Sequence, residues 1–410
     1  MPVDLAVLGL GPLGLSAARN ATAAGVRTLG YEPAPGVVEE LTAGRAPADG
    51  SLSAPELRRM LKSGFTPTAD PDVLGRARTA LLCAPTPAAA DGSLDLTAVL
   101  DAAATLARRM RPRTTVVVES TVPPGATESV VRDVLETGSG LRAGRDFQLA
   151  CAPGRPDDGP RVIAGLTPAC TEAAAACYGR LTDKVVRARG LREAETAKLL
   201  ENNIAHVNTA LVNEMAILCH DLGVDLWDVL RCADTRPPAE AFRPGPGVGG
   251  HDVPVDPAQL AAPRRAFGHP PRLVALARAV NDRMPEYVVH RTTALLNEHG
   301  KSARGARVLL LGVTHRPDLA DQTGSPAREV AARLTDLGAD LTYHDPHVPQ
   351  WSIAGRPVPR VDSLYDAAAE ADLTVLLQNH RVYDLQGLAA KAQLLLDTRG
   401  ASPAGVAHRL

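Results

Sequence analysis

Two kinds of hydrophobic spacing alternate along most of this 410-residue chain. Short, nearly continuous apolar runs at Val3–Leu8, Thr28–Tyr31, Thr79–Cys83 and Thr115–Glu119 predict buried strands. Between them, apolar positions recur every three or four residues over Leu13–Ala24, Leu94–Met110 and Glu128–Leu135, the spacing of amphipathic helices. Strands that are apolar on both faces need cover on both faces. The alternation therefore predicts a parallel sheet with helices on each side, which we place at residues 1–190.

From Leu191 to Leu222 the spacing changes. Apolar residues at Ala197, Leu200, Ile204, Val207, Leu211, Met215, Leu218 and Leu222 step by three and four through one long helix, about eight or nine turns. Such a helix can connect domains and carry a subunit interface, or it can form the core of a monomer; the spacing fits both. Helical patterns at Leu226–Ala233, Pro257–Ala262 and Arg272–His299 follow, interrupted by a turn-rich loop from Asp234 to Pro254. They define a helical middle at 191–300. The α/β pattern returns at 301–410, with strands predicted at Val308–Leu311, Asp340–Tyr343, Leu373–Leu377 and Leu394–Leu396 and a helix at Pro326–Leu337. The expected fold class is α/β: a Rossmann-like domain, a central all-helical region with a long connecting helix, and a second Rossmann-like domain.

Composition narrows the function classes. Hydrophobic residues make up 45% and charged residues 22%, enough for each domain to bury a core and too apolar for general disorder. A formal net charge of −2 offers neither nucleic acid nor an anionic membrane an electrostatic reason to bind. No apolar run reaches the ~20 residues of a membrane helix. The N-terminal MPVDLAVLGLGPLG has no basic start and reads as a first strand, not a signal peptide. The six cysteines show no C-x-x-C pair and no metal-ligand spacing, so reduced thiols, no metal and a cytoplasmic location are expected. Lysine is confined to Lys62, Lys184, Lys198, Lys301 and Lys391, which makes a lysine inside a motif informative.

Gly9-Leu10-Gly11-Pro12-Leu13-Gly14 is a G-x-G-x-x-G turn placed directly after a strand and before a helix. The first glycine permits the tight turn, the second lets a pyrophosphate approach the backbone, and the third lets helix and strand pack closely. The phosphates belong at the helix N-terminus, where unbonded N–H groups and the helix dipole favour an anion. Glu32 closes the second strand, 18 residues beyond Gly14. A carboxylate there accepts the ribose hydroxyls of NAD and repels the 2′-phosphate of NADP, so NAD is the expected cofactor. Pro85 and Thr86 follow the next strand at the same carboxyl edge of the sheet. Together with Ser120 and Thr121 they are candidates to line the nicotinamide side.

Three further segments carry polar residues in positions that suggest a site. Glu119-Ser120-Thr121-Val122-Pro123-Pro124-Gly125 follows a strand. Ala194–Asn202 opens the long helix and puts Lys198 and Asn202 on one face, four residues apart. The stretch from Gly245 to Asp256 is glycine-rich and holds Asp252 and Asp256. Close approach of Gly247, Gly249 and Gly250 to a ligand, with Phe242 just before them, is one reading of that stretch; a mobile turn is the other.

In order along essentially the whole chain, GxGxxG, ESTVPPG, AETAKLLENN, VNEMAILCHDLG, RPGPGVGGHDVPVDP, LLGVTHRPDLADQTGSP, YHDPHVP and DTRG resemble the UDP-glucose/GDP-mannose dehydrogenase family of nucleotide-sugar dehydrogenases. The detail is similar to the branch acting on UDP-N-acetylhexosamines. The resemblance implies an NAD domain, a dimer through the long helix, and a C-terminal domain that helps bind a nucleotide sugar. It also implies two successive NAD-dependent oxidations of a primary alcohol, the second through a cysteine thioester. Lys198, Asn202 and Asp256 match the family residues that place a water and stabilise the alkoxide in the first oxidation, and Thr121 matches a further polar residue there. Arg316 stands near a position where the family often has a lysine close to cofactor or substrate.

The chain also departs from the family pattern. The nucleophilic cysteine after the G-G-H triplet is Asp252, and a carboxylate cannot form a thioester. The glutamate of a P-E-R segment is Gly154, and an arginine of D-x-R-x-S-P is Thr323. Asp252 is open to two readings, a second base or a solvated loop carboxylate. Retained Lys198, Asn202 and Asp256 without the thioester parts imply a two-electron NAD-dependent oxidoreductase that interconverts an alcohol and a carbonyl. The alternatives are a dehydrogenase acting on a non-sugar hydroxyl in secondary metabolism, and an NAD-binding pseudoenzyme or scaffold.

Overall fold

The computed structural model describes residues 3–47, 49–87, 94–154, 159–235, 243–250 and 271–410. The expectations at Phe242, Asp252, Asp256 and the helix Pro257–Ala262 lie outside the described residues. The described residues form two compact units, one up to Asn202 and one from Asn203 onward.

The first unit is built on eight strands: β1 (Val3–Leu8), β2 (Thr28–Tyr31), β3 (Phe65–Thr68), β4 (Ala77–Leu82), β5 (Thr115–Val118), β6 (Gln148–Cys151), β7 (Arg161–Gly165) and β8 (Val185–Arg187). They lie in the order β3-β2-β1-β4-β5-β6-β7-β8. The apolar runs are continuous because alternate residues feed two cores. Leu5, Val7, Leu81 and Val117 pack on one face with Ala17, Ala18 and Ala21. Ala6, Leu8, Leu82, Val116 and Val118 pack on the other with Val99, Ala103 and Leu106. The reversal of order beside β1 puts a crevice at the carboxyl ends of β1 and β4, the place where such sheets hold dinucleotides.

The sheet is not parallel throughout, as the apolar runs had suggested: β6 and β7 pair antiparallel. Only residues 152–160 separate these strands, fewer than the dozen or so a parallel crossover needs. The three helices expected here run Pro12–Ala23, Thr97–Ala107 and Arg132–Ser139. Apolar spacing does not reveal β3, a half-buried edge strand that carries Pro67.

The long helix runs Leu191–Asp221. Leu200, Ile204, Leu211 and Leu218 on it, and Leu222 just beyond, are 48–66% exposed.

The second unit holds β9 (Arg307–Leu311), β10 (Asp340–His344), β11 (Trp351–Ile353), β12 (Arg356–Val358), β13 (Leu373–Leu376), β14 (Leu395–Asp397) and β15 (His408–Arg409). A parallel sheet runs β10-β9-β13-β14-β15, and β11 and β12 form a separate antiparallel pair. Val308, Leu310 and Val375 face the helix Arg272–Glu298 and the helix Ala327–Asp336. Leu309, Leu311 and Leu376 face the opposite core. Among the described residues no helix is long and apolar enough to cross a membrane.

Candidate functional site

The glycine turn has the shape its sequence requires. Gly9 has φ +95° and donates its N–H to Tyr31 O at 2.9 Å. A Cβ on Gly14 would stand 1.9 Å from Gly9 O, so only glycine lets the helix approach the strand this closely. At Gly11 a Cβ would meet nothing within 4 Å, so the backbone there is open. Pro12 begins the helix and no side chain caps it, which leaves the first-turn N–H groups, including those of Leu13 and Gly14, for a ligand. Glu32 is tied to the same turn: its Oε2 accepts the Leu10 N–H at 3.0 Å. A cradle of glycines with open space above Gly11 and a carboxylate anchored beside it fits a dinucleotide.

The neighbouring strand ends are braced. Ser120 Oγ donates to Ala84 O at 2.7 Å, and Thr86 Oγ1 donates to Thr121 O at 2.9 Å. Ser120 and Thr86 are buried and spend their hydroxyls on the backbone, so they support the crevice wall. Pro85 is exposed and Thr121 half-buried.

The Glu119–Gly125 loop is held from the long helix. The buried Glu195 carboxylate accepts the backbone N–H groups of Gly125 and, at 3.1 Å, Thr127. Burial pushes the Glu195 carboxyl above its ordinary value, and these bonds hold part of that back. Lys198 follows one turn later. Its side chain is 12% exposed, and its Nζ lies 3.3 Å from Glu201 Oε2. Its alkyl chain rests on Gly154: a Cβ there would stand 3.4 Å from Lys198 Cδ and Cε and 3.7 Å from Nζ. One further turn on, Asn202 Nδ2 is buried without a hydrogen-bond partner among the described residues. An amide donor left unpaired in the interior costs stability unless something accepts it.

Beneath this site lies an ionic cluster that sequence spacing did not reveal. Glu119 and Arg161 are both buried and pair at 3.0 Å. The Tyr178 hydroxyl donates to Glu119, and Cys83 Sγ lies 3.5 Å from it. The Arg161 guanidinium stands over the Tyr178 ring, 5.4 Å from its centroid. Burial opposes the Arg161 charge, but Glu119 and Tyr178 outweigh it and raise the pKa. Burial, then the Glu119 charge, drives the Cys83 thiol well above its usual value, and burial also raises the thiols of Cys151 and Cys177, the latter to about 11.

In the second unit the glycine loop is fixed at both ends. The Gly245 N–H donates to Asn213 Oδ1 at 3.0 Å, and the Gly250 N–H to Thr323 O at 2.9 Å. Gly247 has φ +130°, and a Cβ there would stand 3.0 Å from Pro326. A Cβ on Gly249 would come within 2.7 Å of His315 Cβ and 2.8 Å of Gly324 O. A Cβ on Gly250 would meet His315 Nε2 at 3.1 Å. The structure therefore gives these three glycines a reason in close packing against their own unit. Behind them, buried Asn213, Asn281 and His206 form a chain, with Asn213 Nδ2 donating to Asn281 Oδ1 at 2.9 Å and Asn281 Nδ2 to His206 O at 3.2 Å.

Arg316 is half-buried on the segment after β9, and its carbonyl accepts the Thr314 hydroxyl at 2.9 Å. Asp318, His347 and His380 bring possible metal-ligand atoms within 4.8 Å of one another. His380 has no lone pair to spare: its Nδ1 accepts the Asp318 N–H at 2.9 Å, which leaves Nε2–H to donate to Asp345 at 3.1 Å. The Asp318 carboxylate accepts from Arg381. This cluster clamps loops together.

The chain matches three models of the UDP-glucose/GDP-mannose dehydrogenase family: the NAD binding domain over residues 3–169, the central domain over 192–283, and the UDP binding domain over 309–403. It is 30% identical over 391 residues to a UDP-N-acetyl-D-mannosamine dehydrogenase of Pyrococcus horikoshii, covering 92% of this chain and 89% of that one. A solved UDP-D-ManNAc dehydrogenase from Pyrococcus horikoshii superposes with a TM-score of 0.87 at 27% identity, over 99% of this chain and 98% of that one. A UDP-glucose dehydrogenase from Pyrobaculum islandicum gives the same TM-score and identity over 100% and 97% of the two chains.

Proposed function

Because the chain belongs to the UDP-glucose/GDP-mannose dehydrogenase family and is an NAD-dependent dehydrogenase acting on CH–OH groups, we propose that it oxidises the alcohol of a UDP-N-acetylhexosamine by two electrons and releases the carbonyl. The observation that carries this reading is the placement of Lys198 and Asn202 one turn apart on the same helix. One lysine amine is enclosed against Gly154, and one buried amide donor waits unpaired a turn away on the same helix.

The chemistry NAD supplies when bound is acceptance of a hydride. Gly9, Gly11 and Gly14, with Leu13 and Glu32, would hold it, and Thr121 would stand at its reacting end. Lys198 Nζ would meet the substrate hydroxyl, either taking its proton or standing beside the alkoxide as a cation. Asn202 Nδ2 would donate to the oxygen as negative charge gathers on it. Asp256 would orient Lys198.

The second oxidation is the step this chain lacks. Where the resemblance implies the thioester cysteine and its partner glutamate, the chain has Asp252 and Gly154. Gly154 has φ +108°, a conformation that strains any other residue. Burial raises the thiols of Cys83, Cys151 and Cys177 and so disfavours at those three the thiolate that attacks a carbonyl.

Thr323 favours a second reading of the substrate. It is exposed where the resemblance implies an arginine, which fits a non-sugar hydroxyl of secondary metabolism. Melting curves with and without UDP-N-acetylhexosamines separate the two, since only a sugar-nucleotide enzyme is stabilised by them.

The test of the first reading is K198A. It should lower kcat by roughly 10²- to 10⁴-fold while leaving NAD affinity within about twofold. A hydrazine reagent added to the wild-type reaction should capture an aldehyde. A variant with wild-type turnover would end this assignment.

A further inference from the structure

We propose that Arg161 is a positioning residue for Lys198: it pins the Pro153–Gly154 wall against which the lysine side chain lies. The inference rests on the reading of Lys198 above and names a residue that holds it in place.

A lysine has four rotatable bonds, so a catalytic lysine needs its stem held. Here two things hold it. Glu201 pairs with Nζ, but Glu201 is 64% exposed, and an ion pair on a solvated helix face constrains little. The second support is Gly154, whose α-carbon faces the Cδ, Cε and Nζ atoms. That contact exists only while residue 154 keeps φ +108°, a conformation that a glycine leaves readily. The carbonyl of Gly154 accepts Nη1 of Arg161. The other arm of the same guanidinium lies 3.0 Å from Glu119, buried at the end of β5.

The planar fork of Arg161 therefore joins two loops. One begins at Glu119 and carries Ser120 and Thr121; the other carries Gly154 and meets Lys198. The cluster is anchored besides by Tyr178, which donates to Glu119 and lies beneath the guanidinium. A small cleft lined by Pro153, Gly154, Arg161, Ala197, Lys198 and Glu201 opens at this junction, so the lysine has room to swing once its wall moves.

R161K tests this. Lysine keeps the charge opposite Glu119, so the fold is retained, but an ammonium is a point donor and does not span Glu119 and the Gly154 carbonyl as the fork does. The expected result is a fall in kcat of about 10- to 100-fold, with KM for the nucleotide sugar and Kd for NAD within about twofold. A folded R161K with kcat within twofold of wild type would overturn the proposal. Should R161K melt below the assay temperature, G154A asks the same question, because its Cβ stands against Lys198 and its φ is strained. The same fall in kcat with unchanged NAD affinity is expected, and wild-type turnover would again overturn it. K198A separates the two levels: if K198A is inactive while R161K turns over normally, only the positioning role fails. If K198A is active, the reading of Lys198 fails first.

Discussion

Glu32 accepts the Leu10 amide at 3.0 Å, so the carboxylate proposed to meet the ribose and the turn proposed to hold the pyrophosphate form one hydrogen-bonded piece. A side chain that both shapes the turn and meets the ligand costs twice when it is lost. E32A is predicted to raise KM for NAD by about 10- to 100-fold, the loss of a hydrogen bond to a charged acceptor. It should also narrow the preference for NAD over NADP. Steady-state kinetics with both cofactors measures the two effects together.

The Gly14 prediction concerns space. A methyl group 1.9 Å from Gly9 O forces the helix Pro12–Ala23 away from β1. G14A should lose NAD binding by calorimetry and unfold at lower denaturant, by about 1–3 kcal/mol or more. Gly11 has open space around its α-carbon, so G11A should keep the fold and lose only cofactor affinity.

The pH prediction follows from His206. Burial lowers its pKa below the ordinary 6.5, with the Asp282 charge opposing and Arg278 assisting. A histidine held neutral in the fold binds a proton more readily once unfolded, so its contribution is present above about pH 6.5 and is lost as pH falls through the depressed value. Denaturant melts from pH 7.5 to 5 should therefore show falling stability, and H206Q should flatten the slope. An identical slope in H206Q would show that other groups carry the dependence.

Four exposed apolar residues on the long helix and a fifth just past its end suggest what covers them. Leu200, Ile204, Leu211, Leu218 and Leu222 are spaced by four and seven residues, the seam of a helix that packs against another helix. The account predicts a dimer by sedimentation equilibrium, and a monomer for L211E/L218E. A monomeric wild-type protein would remove the dimer from the account.

What could be read ahead of the structure was whatever buries apolar area in a regular pattern. Thr28–Tyr31 and Leu226–Ala233 were legible to the residue, and the long helix to within one residue at its end. β3, with Pro67 at a half-buried edge, was not, because an edge strand needs no apolar run. In the site, Lys198 and Asn202 share a face by helix geometry alone. Arg161 was invisible because its partners Glu119 and Gly154 are far from it in pattern, and only the antiparallel return of β7 brings the three together. For Gly247, Gly249 and Gly250 the sequence left close approach to a ligand and a mobile turn both open, and close packing against His315, Gly324 and Pro326 demands glycine there.

The central claim is that the chain carries out one hydride transfer and cannot carry out the second. Counting NADH formed per nucleotide sugar consumed, with the product identified by mass, tests it most directly. The account predicts one NADH per sugar and a carbonyl product. Two NADH per sugar with a carboxylic acid product would contradict it.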